Sequence, residues 1–100
     1  MDNTAAQGRL SGPLEIDHEA VLDFMEQADL QLDASGLVCP EPLMLVRNKV
    51  RTMAAGEVLH IVATDPSTSR DFHNFCRFMG HEMVAESTTD GTFEYWIRKV

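Results

Sequence analysis

The stretch Asp33-Ala34-Ser35-Gly36-Leu37-Val38-Cys39-Pro40-Glu41-Pro42 decides how the rest of the chain is read. Two prolines flanking a glutamate directly after a cysteine fit the first turn of a helix. The first N–H groups of a helix have no intrahelical acceptor, so proline loses nothing there, and its fixed φ suits the position. On this reading Cys39 is the N-cap. Because Pro40 and Pro42 have no donor, the N–H groups of Glu41 and Leu43 remain to face the sulfur. Upstream, Asp29 to Ala34 alternates, with Leu30, Leu32 and Ala34 on one face and Gln31 and Asp33 on the other, which predicts a half-buried first strand. Ser35-Gly36 then turns the chain into the cysteine loop.

A thiol at a positive helix end is stabilised as thiolate, by up to ~2 kcal/mol when partly buried. One pKa unit corresponds to about 1.36 kcal/mol, so the cap alone predicts a thiol brought from near ~8.5 down to roughly 7–8. Glu41 opposes this, and the nearest base in sequence, Arg47, lies two turns along the helix. Cys39 therefore reads as moderately activated, suited to accepting and handing on a sulfur atom inside a partner's site.

The helix is expected from Pro40 to about Ala54, burying Leu43, Val46, Val50 and Met53, with Gly56 as C-cap. Arg47, Lys49 and Arg51 admit two readings, a solvated face or a surface that steers an acidic partner toward Cys39. Glu57 to Thr64 reads as a second strand. A strand–helix–strand unit is normally a right-handed parallel crossover, so the loop Asp65-Pro66-Ser67-Thr68-Ser69-Arg70-Asp71 opens beside Cys39. Thr68-x-x-Asp71 reads as a weak capping box for a second helix, Ser69 to Met79, stopped by Gly80. Arg70 either supplies positive charge to the cysteine or pairs with Asp71 or Asp65. Phe72, Phe75, Cys76 and Met79 form one apolar stripe, which makes Cys76 a core residue, with a resolving thiol as the alternative. Glu82 to Ser87 and Thr92 to Val100 read as a hairpin about Asp90-Gly91. With two helices for four strands, one sheet face is left uncovered, and Val58, Val62 and Trp96 are expected to form an apolar partner or dimer patch there.

Several of these strings together resemble a family. Asp33-x-x-Gly36-Leu37-x-Cys39-Pro40-x-Pro42 resembles the signature of the TusA/SirA-type sulfur-carrier proteins. Arg47-x-x-Val50-Arg51, Gly56-Glu57, Asp65-Pro66-x-Thr68-x-Arg70-Asp71, Phe75-Cys76-x-Phe78-Met79-x-His81-Glu82 and Ile97-Arg98-Lys99 extend the likeness over Asp29 to Val100. The resemblance implies a βαβαββ two-layer α/β sandwich, a mixed four-stranded sheet in order 1-2-4-3 with two helices on one face. It also implies a persulfide carried on Cys39, supported by Gly36, Pro40, Glu41, Pro42 and Leu43. The sulfur would come from a cysteine desulfurase and pass to a downstream acceptor protein, most naturally in tRNA 2-thiouridine synthesis. Thr68, Asp65, Arg70, Arg47 and Arg51 are candidate site or docking residues. The rival readings are the same relay in sulfur oxidation, molybdenum-cofactor maturation or selenium handling, or a non-catalytic regulatory module. No bound cofactor is implied.

The 100 residues suit one domain, and 44% apolar content suffices for a core. No apolar run approaches the ~20 residues that span a bilayer. Met1-Asp2-Asn3-Thr4 begins no secretory signal, so the expected location is cytoplasmic and both cysteines are expected as free thiols. The net charge of −8 divides as −5 over residues 1–28 and −3 over the rest. That balance offers no basic patch for RNA phosphates, so no direct nucleic-acid contact is expected, and the protein reads as a monomer or weak dimer. His60, His73 and His81 lack metal-ligand spacing, so no metal is expected. Residues 1–28 read as an acidic extension, 29–100 as the sulfur-carrier domain. Within the extension, Asn3 to Pro13 reads as disordered. Asp17 is the candidate cap of a short helix with Ala20, Val21, Phe24 and Met25 on one face and Glu19, Asp23 and Glu26 opposite, which packs on the domain or frays, or else docks a partner.

Overall fold

The computed structural model describes residues 14–16 and 18–100. In chain order these form β1 (Leu14–Glu15), α1 (His18–Gln27), β2 (Leu30–Ala34), α2 (Glu41–Arg51), β3 (Val58–Ala63), α3 (Thr68–Met79), β4 (Glu82–Thr89) and β5 (Thr92–Arg98). The expected disordered lead and the Asp17 cap lie outside the described residues.

β2 and β3 pair in parallel, from Leu30 opposite Leu59 to Ala34 opposite Ala63. That pairing brings the loops after both strands to one edge of the sheet, as a parallel crossover must. β5 lies antiparallel between β3 and β4, so these four strands take the expected order, 1-2-4-3. The turn residues Asp90 and Gly91 both have positive φ, 51° and 79°, as a two-residue hairpin loop with matching twist requires.

Period-two alternation sorts the strands' side chains to two faces. On one, Leu59, Ile61, Tyr95 and Ile97 pack against Val46 and Val50 of α2 and Phe72, Phe75 and Cys76 of α3. The second face is not bare. Val21 of α1 packs there with Ala85 and Trp96, flanked by Phe24, Met25, Val58 and Val84, and Trp96 is only 1% exposed. Phe24 meets the Trp96 ring edge-on at 5.6 Å and His60 stacks on it at 4.7 Å. β1 adds a fifth strand, parallel to β4 with Leu14 opposite Ala85. The expected exposed apolar patch is thus corrected: the chain's own α1 covers Trp96.

Two caps also differ from expectation. α2 ends at Arg51, where the Thr52 hydroxyl and N–H both donate to the Lys49 carbonyl. Gly56 donates to the Lys99 carbonyl at 2.7 Å, tying the loop before β3 to the end of β5 rather than capping the helix. α3 starts one residue early, at Thr68, so Thr68 is its first helical residue and not its cap. The Thr68 hydroxyl is spent on the Asp65 carbonyl, 2.7 Å, and on the buried Tyr95 hydroxyl, 3.0 Å.

Candidate functional site

The site grows from the two loops at the parallel edge. After β2 the chain must reverse tightly, and it does so through Gly36 at φ +80°, a conformation that disfavours any Cβ. Asp33 accepts the Ser35 N–H at 3.0 Å, and the Ser35 hydroxyl together with that N–H holds its carboxyl below the usual carboxylate range, while the Gly36 N–H donates to Thr64 Oγ1 at 2.8 Å. Space is open around Gly36, so Gly36→Ala tests backbone conformation alone. We expect it to destabilise by about 1 kcal/mol, read as a lower melting temperature, and to alter Cys39 alkylation because the loop must re-route.

Cys39 is exposed at the end of that loop. Its N–H donates to Asp65 Oδ2 at 2.7 Å, and Asp65 Oδ1 accepts the Ser67 N–H at 3.0 Å. One carboxylate therefore clamps both loops, and the N–H donors of Ser67 and Cys39 hold it below the usual aspartate range. Cys39 Sγ donates to Asp71 Oδ2 at 3.3 Å, while Asp71 Oδ1 takes Arg70 Nε at 3.4 Å. Of the two readings of Arg70, the ion pair with Asp71 is the one formed.

This geometry reverses the expectation of an activated thiol. Pro40, not Cys39, occupies the N-cap position, across a cis Cys39–Pro40 peptide, and makes no side-chain cap bond. The Glu41 N–H, expected to face the sulfur, donates instead to the Val38 carbonyl at 3.0 Å. The thiol is pushed up from its ordinary value, first by its hydrogen bond to the Asp71 carboxylate, then by partial desolvation and the Asp71 charge. A hydrogen bond donated by a thiol favours the protonated form, and a neighbouring anion adds to it. Only Ser67 works in the other direction. Its hydroxyl is buried close to the sulfur.

The other candidates sit apart. Pro42 is buried at the start of α2, whereas Val38, just before the cysteine, and Met44, in the first turn of α2, are exposed. Glu41 lines a shallow cavity of about 270 Å³ with Leu37, Met44 and Asn48. Arg47 and Arg51 line a second cavity of about 230 Å³ with Phe75, Met79, His81 and Lys99, to which Cys39 does not contribute. Thr68 is buried beneath the site and positions the loop instead of facing solvent. Asp71 and Ser67 were missed as site residues. Reading Thr68-x-x-Asp71 as a capping box assigned the carboxylate to the helix, although the crossover already placed it beside Cys39. Among the described residues no three His, Cys, Asp or Glu side chains gather as a metal site, and no helix is long and apolar enough to cross a membrane.

A family model described as sulfurtransferase TusA matches residues 30–99. The chain belongs to the TusA family. Among its TusA relatives, the sulfur carrier protein TusA of Pseudomonas syringae is 59% identical over 71 residues, 71% of this chain and 84% of that one. The protein of the same name from Pseudomonas paraeruginosa is 56% identical over 71 residues, 71% of this chain and 90% of that one. The crystal structure of a SirA-like protein from Desulfitobacterium hafniense superposes with a TM-score of 0.61 at 22% identity, covering 69% of this chain and 95% of that one. That likeness carries the fold. The TusA match begins at Leu30, so β1 and α1 lie outside it.

Proposed function

We propose that this protein carries a sulfane sulfur as a persulfide on Cys39, taking it from a cysteine desulfurase and delivering it to a downstream acceptor protein, in tRNA 2-thiouridine synthesis. The observation that carries this reading is the exposed Cys39 thiol of a Cys39-Pro40-Glu41-Pro42 loop, held by Asp65 at the sheet edge of a TusA-family chain. Exposure matters because a carrier's sulfur must enter the active sites of two other proteins in turn. The transfer balances without an outside oxidant. Cys39 Sγ attacks the terminal sulfur of the donor persulfide, a new S–S bond forms, the donor's S–S bond breaks, and the donor thiolate takes up the proton Cys39 gave.

The exposed side chains of Val38, next to the cysteine, and Met44, in the first turn of α2, and the cationic cavity of Arg47 and Arg51 support docking of protein partners rather than of a small substrate. The reaction needs no cofactor resident in this chain, and the cytoplasm is its natural setting. The test is the intact mass of the protein after incubation with a cysteine desulfurase and cysteine. Gain of one sulfur atom, dependent on Cys39, supports the reading. Failure to gain sulfur from several desulfurases while Cys39 still alkylates would remove it.

A further inference from the structure

A relay cysteine faces a chemical difficulty. It must react with two partner proteins yet ignore the small thiols and electrophiles of its surroundings, and its exposed position gives no steric shelter. The neighbours of Cys39 supply another kind of protection. Asp71 Oδ2 lies 3.3 Å from Sγ and Asp65 Oδ2 lies 2.7 Å from the Cys39 nitrogen, so two carboxylates border the sulfur. Arg70, the one cation paired with either carboxylate among the described residues, reaches Asp71 by its opposite oxygen with a side chain 72% exposed, while that of Asp71 is 16% exposed. Exposed charge is screened most strongly, so Arg70 offsets Asp71 only in part.

We infer that Asp71, backed by Asp65, is a specificity-determining residue that holds the resting Cys39 as a thiol and repels anionic small molecules from the sulfur it carries. The inference rests on the carrier reading for its purpose, but not for its geometry. A persulfide's terminal sulfur extends about 2 Å beyond Sγ. From there it stays within the field of both carboxylates. Loss of cargo to a small thiol requires a thiolate to attack that terminal sulfur, forming a new persulfide and releasing Cys39 as thiolate, which then takes a proton. The prevalent small cellular thiols carry carboxylates of their own, so their approach is doubly opposed. The upward displacement of the Cys39 thiol by Asp71 agrees in direction. The groups facing the sulfur are Asp71, Asp65 and Ser67, with Arg70 behind Asp71.

The experiment uses the full chain and three reagents that need no partner: neutral iodoacetamide, and the cationic trimethylammonioethyl and anionic sulfonatoethyl methanethiosulfonates. Wild type should react with iodoacetamide along a pH profile displaced above that of a free cysteine, and should prefer the cationic methanethiosulfonate. Asp71→Asn should move the profile to lower pH, raise the iodoacetamide rate at neutral pH on the order of fivefold, as expected for one unit charge at about 4 Å in water, and reduce the cationic preference. Arg70→Gln, at an exposed side chain whose loss leaves packing intact, should strengthen that preference. The opposite signs separate charge control from loop damage. Unchanged rates and preference in Asp71→Asn, or a weaker preference in Arg70→Gln, would overturn the inference. Failure of desulfurase loading in wild type would remove the carrier reading and leave these rates to decide the role of Asp71.

Discussion

Cys39→Ser should abolish the gain of sulfur from a cysteine desulfurase, whereas Cys76→Ser should keep it and lose stability instead. The two thiols differ in access and in protonation. Cys39 is exposed, and one hydrogen bond to Asp71 separates it from thiolate formation. Cys76 is 5% exposed in the core of α3, and burial pushes its thiol up to about 12. At neutral pH the thiolate is then present in fewer than about one molecule in 10⁴, and thiolate is the species that attacks a persulfide. Serine at position 39 retains size and loop geometry but forms no persulfide, so loss of loading there reports chemistry and not folding. Serine at position 76 buries a hydroxyl among Val50, Phe72 and Phe75 and should lower stability by about 1–3 kcal/mol if that hydroxyl finds no partner. Intact mass reads the loading and a thermal melt reads the stability. Loss of loading in Cys76→Ser with its melt unchanged would point to the resolving-thiol role that burial argues against.

The candidate site was legible in the sequence as far as its exposed cysteine and the two loops that meet there. Cys39 stood out because Pro40 and Pro42 both need a helix start, and the Asp65–Asp71 loop was placed beside it by the handedness of the crossover. The protonation state was not legible. It depends on which way the Asp71 carboxylate turns, and that is set by events elsewhere. Thr68 enters the helix because its hydroxyl is drawn to the Asp65 carbonyl and to buried Tyr95, a residue 27 positions away. With Thr68 so engaged, no capping box forms, and Asp71 is free to meet Cys39. A local reading of Thr-x-x-Asp has no access to Tyr95.

The fold divides the same way. Strands β2 to β5 were readable from alternation because each has one face in the core of α2 and α3. The covering of the second face does not follow from α1's own amphipathic pattern, which allows it to pack on the domain, to fray or to dock a partner. What decides between these roles is the match of Val21, Phe24 and Met25 to a face carrying Trp96, Ala85 and Val58. β1 escaped notice for a simpler reason. Two residues are too few to show a period.

Val21→Asp should undock α1 and redden the emission of Trp96, the single tryptophan of the chain. Val21 is 6% exposed against Ala85 and Trp96, so a carboxylate at that place would be buried among apolar side chains. An unpaired buried carboxylate is far more costly than the contact it replaces, so the helix leaves instead of burying it. The penalty is therefore capped by the free energy that holds α1 to the sheet. Burial of the valine alone is worth about 1.5–3 kcal/mol. For a domain of this size each 1 kcal/mol lowers the melting temperature by roughly 4–8 °C, so a fall of about 10 °C is the expected scale. Gln31, whose amide donates to the Met25 carbonyl at 3.4 Å, should lose that tie, and the stacked pair of His60 and Trp96 should open to water. The Cys39 loop belongs to the parallel edge and to the α2 and α3 side, so alkylation of Cys39 should proceed at the wild-type rate below the melt. A red shift with unchanged Cys39 reactivity would establish α1 as an independently detachable cover. An unshifted spectrum would mean that Trp96 is shielded by something other than α1, contrary to the packing of Phe24 and Val21 on it.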